Sequence, residues 1–284
     1  SRAHVVVDNS GTLEELENQL EQTFLESGAG NRVTGIVMDV NDGSILAMGT
    51  YPPFDLNDPY RLDEFSEARL YGMDPSSAES KALYSELMYN MWNNKAITET
   101  YEPGSTFKII TTAMAFEEGV VTEEESFYCP GYSMIEGWSN PISCHKKTGH
   151  GVVSFRVGLQ QSCNPTLMSI AMRVGNERFY DYFEAFGYTG KTGIDVPGEV
   201  AGIYSGFKDF RTVSLAVYSF GQTFKTTPIQ QIRGVSAVAN GGYLVTPHLL
   251  GSITDDDGNI ITQHDNTPVR QVISQETSDK VRSC

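Results

Sequence analysis

The chain has 284 residues, of which 39% are hydrophobic and 20% are charged. This globular balance can bury a substantial core in one large domain or two small ones. The formal net charge of −16, from 36 acidic and 20 basic residues, argues against a nucleic-acid partner, because phosphate binding requires clustered Lys and Arg. No stretch approaches the roughly 20 apolar residues of a membrane span, and residues 1–8 lack the basic-then-apolar pattern of a signal peptide. We therefore interpret the chain as a soluble part of a longer protein.

The first hundred residues predict a helix, a hairpin and a mixed polar segment. Apolar residues at helical spacing predict an amphipathic helix over residues 12–27. Apolar runs on both sides of Asn41-Asp42-Gly43 predict a β-hairpin over residues 34–48. Residues 57–101 are polar and mixed, which indicates short helices and a loop.

The remainder of the chain predicts mainly helices. Pro103-Gly104 marks a turn, and the residues from Ser105 to Glu118 lack Pro and Gly, which predicts a helix that begins at or near Ser105 and stops at Gly119. Further expectations are an irregular segment over 129–151, mainly helical segments over 155–174 and 213–240, each interrupted once, and two strands over 242–261. Helices and strands that follow one another without regular alternation favour an α+β fold over a doubly wound sheet.

Ser105-Thr106-Phe107-Lys108 is the first candidate for chemistry. Residues three apart on a helix project from the same face, so Lys108 could remove the proton that keeps the Ser105 hydroxyl a weak nucleophile, if burial lowers its pKa. The spacing alone is weak evidence, because Ser-x-x-Lys also occurs by chance at helix starts with a solvated lysine. The apolar run that follows, Ile109 to Met114, predicts a buried helix and favours a role for Lys108.

Ser162-Cys163-Asn164 is the second candidate, 57 residues after Ser105. A second serine and an asparagine on a short turn can hydrogen-bond Lys108 and pass a proton to a leaving amine. The motif has little value by itself, since an ordinary turn before Pro165 looks the same. Its value comes from its order and distance relative to Ser105.

Together these segments resemble the transpeptidase domain of class B penicillin-binding proteins, whose serine–lysine signature is shared with β-lactamases. The segments that carry the resemblance are Glu102-Pro-Gly-Ser-Thr-Phe-Lys108, Ser162-Cys-Asn-Pro165, the hairpin Gly35 to Asp39 with Gly43 to Met48, Tyr51-Pro-Pro-Phe-Asp55, His150-Gly151, and Gly221-Gln222 with Thr227-Pro228 and Gln230. They cover the chain from about Thr34 to Pro247. The arrangement of Cys129-Pro-Gly131 and Cys144 is similar to sporulation- and division-type members from Gram-positive bacteria.

The resemblance implies a fold and residue roles. The implied fold is the penicillin-binding protein and serine β-lactamase-like transpeptidase fold, an antiparallel sheet flanked by helices, in one domain over residues 1–284. Ser105 would attack the penultimate D-alanine carbonyl of a peptidoglycan stem peptide, with Lys108 as the base. Ser162 and Asn164 would complete the proton network, and the backbone N–H of Ser105 would form half of an oxyanion hole.

The resemblance also implies partners and a location. β-Lactams would acylate Ser105 as mimics of D-Ala-D-Ala, and cell-wall synthesis proteins are expected as partners. The native protein is expected to be membrane-anchored with this domain on the extracytoplasmic face of the bacterial plasma membrane. No cofactor or metal is predicted.

The family's third motif, a Lys-Thr-Gly on a strand beside the serine, has no clear counterpart. Lys147-Thr-Gly149 precedes Ser162, and Lys191-Thr-Gly193 follows it by only 29 residues in a glycine-rich segment. We expect Lys191-Thr-Gly193 to be a structural loop remote from Ser105. The true motif is expected beyond Cys284, so that this chain lacks the final strands and terminal helix of the domain.

The cysteines and histidines leave alternatives open. Cys129 and Cys144 could form a disulfide in an oxidising compartment or remain as two free thiols. No Cys-x-x-Cys pair is present, so a zinc site is not predicted. Cys163 is interpreted as a small buried filler, and His145 and His150 as loop residues without a clear third ligand.

Two other functions compete with the transpeptidase. In a serine β-lactamase or D,D-carboxypeptidase, water would be the acceptor. No glutamate lies in a clear deacylating motif, and the Tyr51-Pro52-Pro53 and Gly221-Gln222 segments favour a transpeptidase. A β-lactam sensor or a silent scaffold is the other alternative, and the absent third motif gives it weight.

Overall fold

A computed structural model describes residues 13–28 and 32–284. The start of the chain, for which no signal peptide is predicted, lies outside the described residues. The described part of residues 1–37 groups with residues 45–99 in a smaller compact unit, and residues 38–44 group with residues 100–284 in a larger one.

The smaller unit is built around the predicted helix and hairpin. Its elements are α1 (Leu13–Ser27), β1 (Val33–Met38), β2 (Ile45–Tyr51), α2 (Glu64–Ala68), α3 (Ala78–Trp92) and α4 (Lys95–Thr98). α1 packs against β2, with Leu20 buried at the contact. A Cβ on Gly35 would lie 2.9 Å from Leu20 Cδ2, so the glycine allows this close approach. Both sequence expectations, the helix and the hairpin, are confirmed.

Side-chain caps start α2, α3 and α4 of this unit. Asp63, Ser77 and Asn94 each accept a hydrogen bond from a backbone N–H in the first turn of α2, α3 and α4, respectively. Such caps satisfy donors that the helix itself leaves unpaired. The mixed polar segment therefore forms two short helices, α2 and α4, as expected, and also the 15-residue helix α3, which was not expected. A small apolar cluster of Leu62, Leu87 and Met91 lies within the segment.

The larger unit has a helical core. Its helices are α5 (Lys108–Glu117), α6 (Phe155–Gln160), α7 (Asn164–Val174), α8 (Asn176–Ala185), α9 (Thr212–Tyr218), α10 (Pro228–Ala239) and α11 (Gln275–Ser283), with 3₁₀ turns at Gly104–Phe107 and Phe207–Asp209. α5 lies at the centre and packs against α7, α10 and α11. Ile110 and Met114 of α5 are fully buried, in agreement with the apolar run in the sequence.

Short antiparallel strand pairs surround these helices. β3 (Ser126–Cys129) pairs with β6 (Gly151–Ser154), β4 (Tyr132–Ser133) with β5 (Ile142–Ser143), β7 (Tyr243–Leu244) with β10 (Arg270–Gln271), and β8 (Ser252–Thr254) with β9 (Ile260–Gln263). The expected pair of strands near residues 242–261 is present as β8 and β9. The β4–β5 pair was not predicted, because strands of two residues are too short to show an alternating pattern. The α+β class is confirmed.

The turn of the first hairpin belongs to the larger unit. Gly43 has φ +86°, and a Cβ there would lie 2.5 Å from the carbonyl oxygen of Thr246. The backbone N–H of His248 donates to the Gly43 carbonyl at 3.0 Å. Only glycine suits position 43, because the backbone there is left-handed and a side chain would clash with the Thr246 carbonyl.

Candidate active site

Ser105 lies in the 3₁₀ turn that leads into α5, and its side chain is exposed. The segment 221–223 fixes this turn from the other side. The N–H of Gly104 donates to the Gly221 carbonyl at 2.8 Å, and the N–H of Thr223 donates to the Glu102 carboxylate at 2.9 Å. A Cβ on Gly221 would lie 2.1 Å from the Gly104 carbonyl oxygen. The glycine at 221 thus allows two backbones to touch and holds the serine loop in place.

Lys108 begins α5 and is only 1% exposed. Its Nζ donates to the Ser162 carbonyl at 2.6 Å, to the Ser162 hydroxyl at 2.8 Å and to Asn164 Oδ1 at 2.8 Å. Three acceptors match the three N–H groups of an ammonium. Burial, partly offset by Cys144 and Cys163, lowers the pKa of Lys108 to about 8, so an appreciable fraction of this amine is neutral near physiological pH.

Ser162 connects the lysine to the exposed serine. Its hydroxyl accepts from Lys108 Nζ and donates to Ser105 Oγ at 2.8 Å. Ser162 has φ +52°, a backbone conformation that a non-glycine residue rarely adopts. The turn between α6 and α7 thereby aims both its carbonyl and its hydroxyl at Lys108.

Asn164 holds the same turn from another direction. Its Oδ1 accepts from Lys108, and its Nδ2 donates to the carbonyl of Ser143 at 3.2 Å. The structure therefore brings Ser105, Lys108, Ser162 and Asn164, all four of the sequence-predicted site residues, into one hydrogen-bonded network. Such an arrangement can deprotonate a serine hydroxyl through a second hydroxyl and a buried amine.

The Lys191-Thr-Gly193 segment is held by a buried carboxylate. Thr192 donates to Glu199 Oε1 from its backbone N–H and from its hydroxyl, both at 2.6 Å, and the Gly193 N–H donates to Oε2 at 3.1 Å. The side-chain amide of Gln230 donates to the Gly190 carbonyl at 2.6 Å. This closed loop between α8 and α9 agrees with the structural role expected from the sequence.

Sequence reasoning missed a cluster behind the Ser162 turn. Cys129, Cys144, His150 and Cys163 offer ligand atoms that all lie within 4.8 Å of one another. The three thiols are at most 2% exposed. All three are free, so the sulfurs of Cys129 and Cys144 are close as expected but form no disulfide.

Tertiary contacts place three thiols near His150, a residue for which the sequence offered no clear third ligand. The β3–β6 register pairs Cys129 with Gly151, which brings His150 beside Cys129. No local motif marks the cluster, because its spacings are long. The available signal was the concentration of three of the four cysteines and two of the five histidines within residues 129–163.

Burial also raises the pKa of the Cys163 thiol. A thiol that stays protonated is a poor nucleophile. The structure thus agrees with the interpretation that Cys163 is a small buried residue and not a nucleophile.

An exposed serine linked through a second serine to a buried lysine, on an α+β fold, defines the class of serine–lysine penicillin-recognising proteins. The family described as the penicillin binding protein transpeptidase domain matches residues 33–284. The chain belongs to this family, and the resemblance seen in the sequence is confirmed.

Comparisons with individual proteins agree with this assignment. The chain is 36% identical over 249 residues to Stage V sporulation protein D of Bacillus subtilis, covering 87% of this chain and 34% of that protein. It is 27% identical over 270 residues to penicillin-binding protein PbpB of Mycolicibacterium smegmatis, covering 94% of this chain and 37% of that protein. The chain therefore spans about a third of the length of the curated relatives that it matches.

A solved structure shows the same fold. Penicillin binding protein 3 from Mycobacterium tuberculosis, complexed with aztreonam, matches with a TM-score of 0.75 and 26% identity, covering 94% of this chain and 53% of that one. Along the part of the chain that the structure describes, no helix combines the length and the apolar character needed to cross a membrane.

Proposed function

We propose that this chain acts in a peptidoglycan D,D-transpeptidase that crosslinks stem peptides through an acyl-enzyme on Ser105. The hydrogen-bonded series from Lys108 through Ser162 to Ser105, at 2.8 Å for each step, is the observation that carries the proposal. It joins an exposed hydroxyl to a buried amine whose pKa is lowered to about 8. That combination suits nucleophilic catalysis near neutral pH.

The acylation step follows from this series. Neutral Lys108 accepts the proton of Ser162 while Ser162 takes the proton of Ser105, which requires both hydroxyl hydrogens to rotate from the orientation in the resting network. Ser105 Oγ then bonds to the penultimate D-alanine carbonyl carbon. When the tetrahedral intermediate collapses, the C–N bond to the terminal D-alanine breaks, and the protonated network returns a proton to the leaving amine. The backbone N–H of Ser105 would stabilise the oxyanion.

The second half of the reaction uses an amine acceptor. The amine of a neighbouring stem peptide attacks the Ser105 ester, gives up its proton to the same network, and releases Ser105. β-Lactams would form an ester with Ser105 in the same way, and penicillin binding protein 3 from Mycobacterium tuberculosis is known in complex with aztreonam and in complex with ampicillin. The natural protein would work with other cell-wall synthesis proteins on the extracytoplasmic face of the membrane, to which it would be anchored.

Fluorescent penicillin labelling of the full-length protein tests the proposal. We expect one label per chain on the Ser105 peptide, no label in Ser105→Ala, and full label in Ser252→Ala, which removes an exposed serine on β8. Slow loss of the label supports a transpeptidase, whereas rapid hydrolysis would identify a β-lactamase. Label on Ser162 or Cys163 would refute the assignment of the nucleophile.

A further inference from the structure

Three side chains form a hydrogen-bonded series that ends at the turn carrying Ser105. The Tyr188 hydroxyl donates to Gln231 Oε1 at 3.0 Å, and Gln231 Nε2 donates to Thr106 Oγ1 at 3.2 Å. The Thr106 hydroxyl in turn donates to the Pro103 carbonyl at 2.7 Å. Tyr188 is 1% exposed and Gln231 is 6% exposed. The series therefore connects the core to the residue that follows the proposed nucleophile.

Every hydrogen in this series has a fixed direction. The Thr106 hydroxyl donates its one hydrogen to the Pro103 carbonyl, so it can only accept from Gln231. The amide must therefore turn its NH₂ group toward Thr106 and its oxygen toward Tyr188. Burial raises the pKa of the Tyr188 phenol well above its usual value, so the phenol stays protonated and supplies the donor that the amide oxygen requires. An amide at position 231 meets both requirements, whereas a carboxylate or a thioether cannot donate.

A glycine one turn further along α10 leaves room for the phenol. A Cβ on Gly234 would lie 2.5 Å from the Tyr188 hydroxyl oxygen, so any side chain there would displace the ring. Tyr188 also packs edge-on against Phe107, with ring centroids 5.1 Å apart. The two residues that follow Ser105 are thus both held by Tyr188, one directly and one through Gln231.

The last hydrogen bond of the series fixes one peptide plane. The Pro103 carbonyl accepts from Thr106, and the Gly104 N–H of the same peptide group donates to the Gly221 carbonyl at 2.8 Å. Gly104 has φ +57° and no side chain, so its backbone could otherwise adopt several conformations. Hydrogen bonds at both ends of the peptide group prevent this. The next peptide group carries the Ser105 N–H, the donor proposed for the oxyanion hole, and its direction follows from the plane before it.

We propose that Gln231 is a positioning residue for acylation, which acts through Thr106 on the direction of the Ser105 N–H. This inference rests on the proposed function and extends it to a side chain of α10 outside the serine–lysine network. A donor in an oxyanion hole stabilises the intermediate only when it points to the place where charge develops. Loss of the amide frees the Thr106 hydroxyl to rotate and releases the peptide plane that it holds.

Acylation kinetics of the full-length protein with a chromogenic cephalosporin test the proposal. Gln231→Met keeps the length of the side chain but cannot donate. It should lower the acylation rate constant about tenfold, below the roughly 10²–10³-fold loss that follows removal of an oxyanion donor, because Thr106 can still reach Pro103. The dissociation constant of the initial complex should be unchanged. Gln231→Glu should lose at least as much, whereas Tyr188→Phe should lose less, since the amide keeps its bond to Thr106.

Ser278→Ala is the matched control for the loss of a buried hydrogen bond at α10. The Ser278 hydroxyl is fully buried and donates to the Val238 carbonyl at 2.6 Å, far along the helix from Gln231. This variant should lower Tm but acylate at the wild-type rate per folded molecule. If Gln231→Met and Gln231→Glu also lower Tm alone, the series is structural and the proposal is wrong. A wild-type protein that is not labelled at Ser105 would instead refute the proposed function.

Two further measurements respond to positioning but not to stability. A boronic acid that forms a tetrahedral adduct with Ser105 places an oxygen in the oxyanion hole, so its affinity should fall in Gln231→Met in parallel with the acylation rate. The pH midpoint of acylation should stay at the wild-type value, because Lys108 is not part of the series. An unchanged boronate affinity or a shifted midpoint would contradict an effect through the Ser105 N–H.

A double-mutant cycle checks that Gln231 acts through Thr106. Thr106→Val removes the hydroxyl and should slow acylation, and Gln231→Met should add little to this loss, because both changes break one series. Thr106→Ser keeps the hydroxyl and should restore most of the rate. Fully additive losses in the double variant would show that the two residues act independently, contrary to the proposal.

Discussion

Lys108 holds Ser162 by two hydrogen bonds, one to the carbonyl oxygen at 2.6 Å and one to the hydroxyl at 2.8 Å. The carbonyl bond fixes the position of the backbone, so the hydroxyl has one lone pair aimed at the amine while its proton reaches Ser105. The same amine is therefore the structural clamp of the turn and the proposed base. A change at Lys108 should therefore affect both the stability of the turn and the rate of acylation.

Lys108→Ala should lower the rate of acylation by penicillin by about 10²–10⁴-fold, the contribution of proton transfer by a positioned base. The measurement is the second-order acylation rate with fluorescent penicillin, alongside Tm. Lys191→Ala is the matched control, because Lys191 is exposed and lies in the loop that Glu199 closes. An acylation rate near that of the wild type in folded Lys108→Ala would show that another group is the base.

The acylation rate should rise with pH and level off above the pKa of Lys108. Burial lowers this pKa to about 8, and only the neutral amine can accept a proton. Below pH 8 the rate should fall about tenfold per pH unit, since the neutral fraction falls in that proportion. The measurement is a pH profile of acylation with a β-lactam that is itself stable over the range. A rate that is flat from pH 6 to pH 9 would contradict the role of Lys108.

Gly221→Ala should disturb the loop that carries Ser105. The added Cβ would meet the Gly104 carbonyl at 2.1 Å, at a residue with φ +79°. Gly119→Ala is the control, because Gly119 also has a positive φ, +63°, but has open space around its Cα. The control should cost about 1–2 kcal/mol from the left-handed backbone alone and keep its acylation rate.

Gly221→Ala should lose more stability than this control and should also acylate more slowly. Urea denaturation and penicillin labelling of the folded fraction give the two quantities. Equal behaviour of the two variants would mean that the Gly104–Gly221 contact does not position the serine.

The sequence was most informative where chemistry and local structure coincide. Ser105 and Lys108 are three residues apart, so the turn and helix that join them follow from local signals. Ser162 and Asn164 could be predicted as site residues because their position after Ser105 along the chain matches that of the second motif in class B penicillin-binding proteins. The hairpin around Gly43 was predictable for a similar reason, since its turn residues lie between two apolar runs.

The cysteine cluster depends on contacts that no local pattern encodes. His150 reaches Cys129 through the register of β3 and β6, and Cys163 joins them through the turn between α6 and α7. Each strand involved is only four residues long, too short to predict a register. Glu199 was likewise missed as the partner of Thr192, because a lone carboxylate in a loop gives no sign of which N–H groups it will accept.

Glu199→Ala should destabilise the larger unit but leave the rate of acylation at Ser105 unchanged. The carboxylate is 8% exposed and accepts three hydrogen bonds, from the Thr192 N–H, the Thr192 hydroxyl and the Gly193 N–H. Loss of a buried acceptor leaves these donors unpaired, at a cost of about 1–3 kcal/mol for each one that water cannot reach. We therefore expect a lower midpoint in urea and an acylation rate per folded molecule close to that of the wild type.

Glu199→Gln should recover part of the stability, because its amide oxygen can still accept from Thr192. If Glu199→Ala or Lys191→Ala instead lowers acylation while stability is unchanged, the Lys191-Thr-Gly193 loop contributes to the active site rather than to the fold.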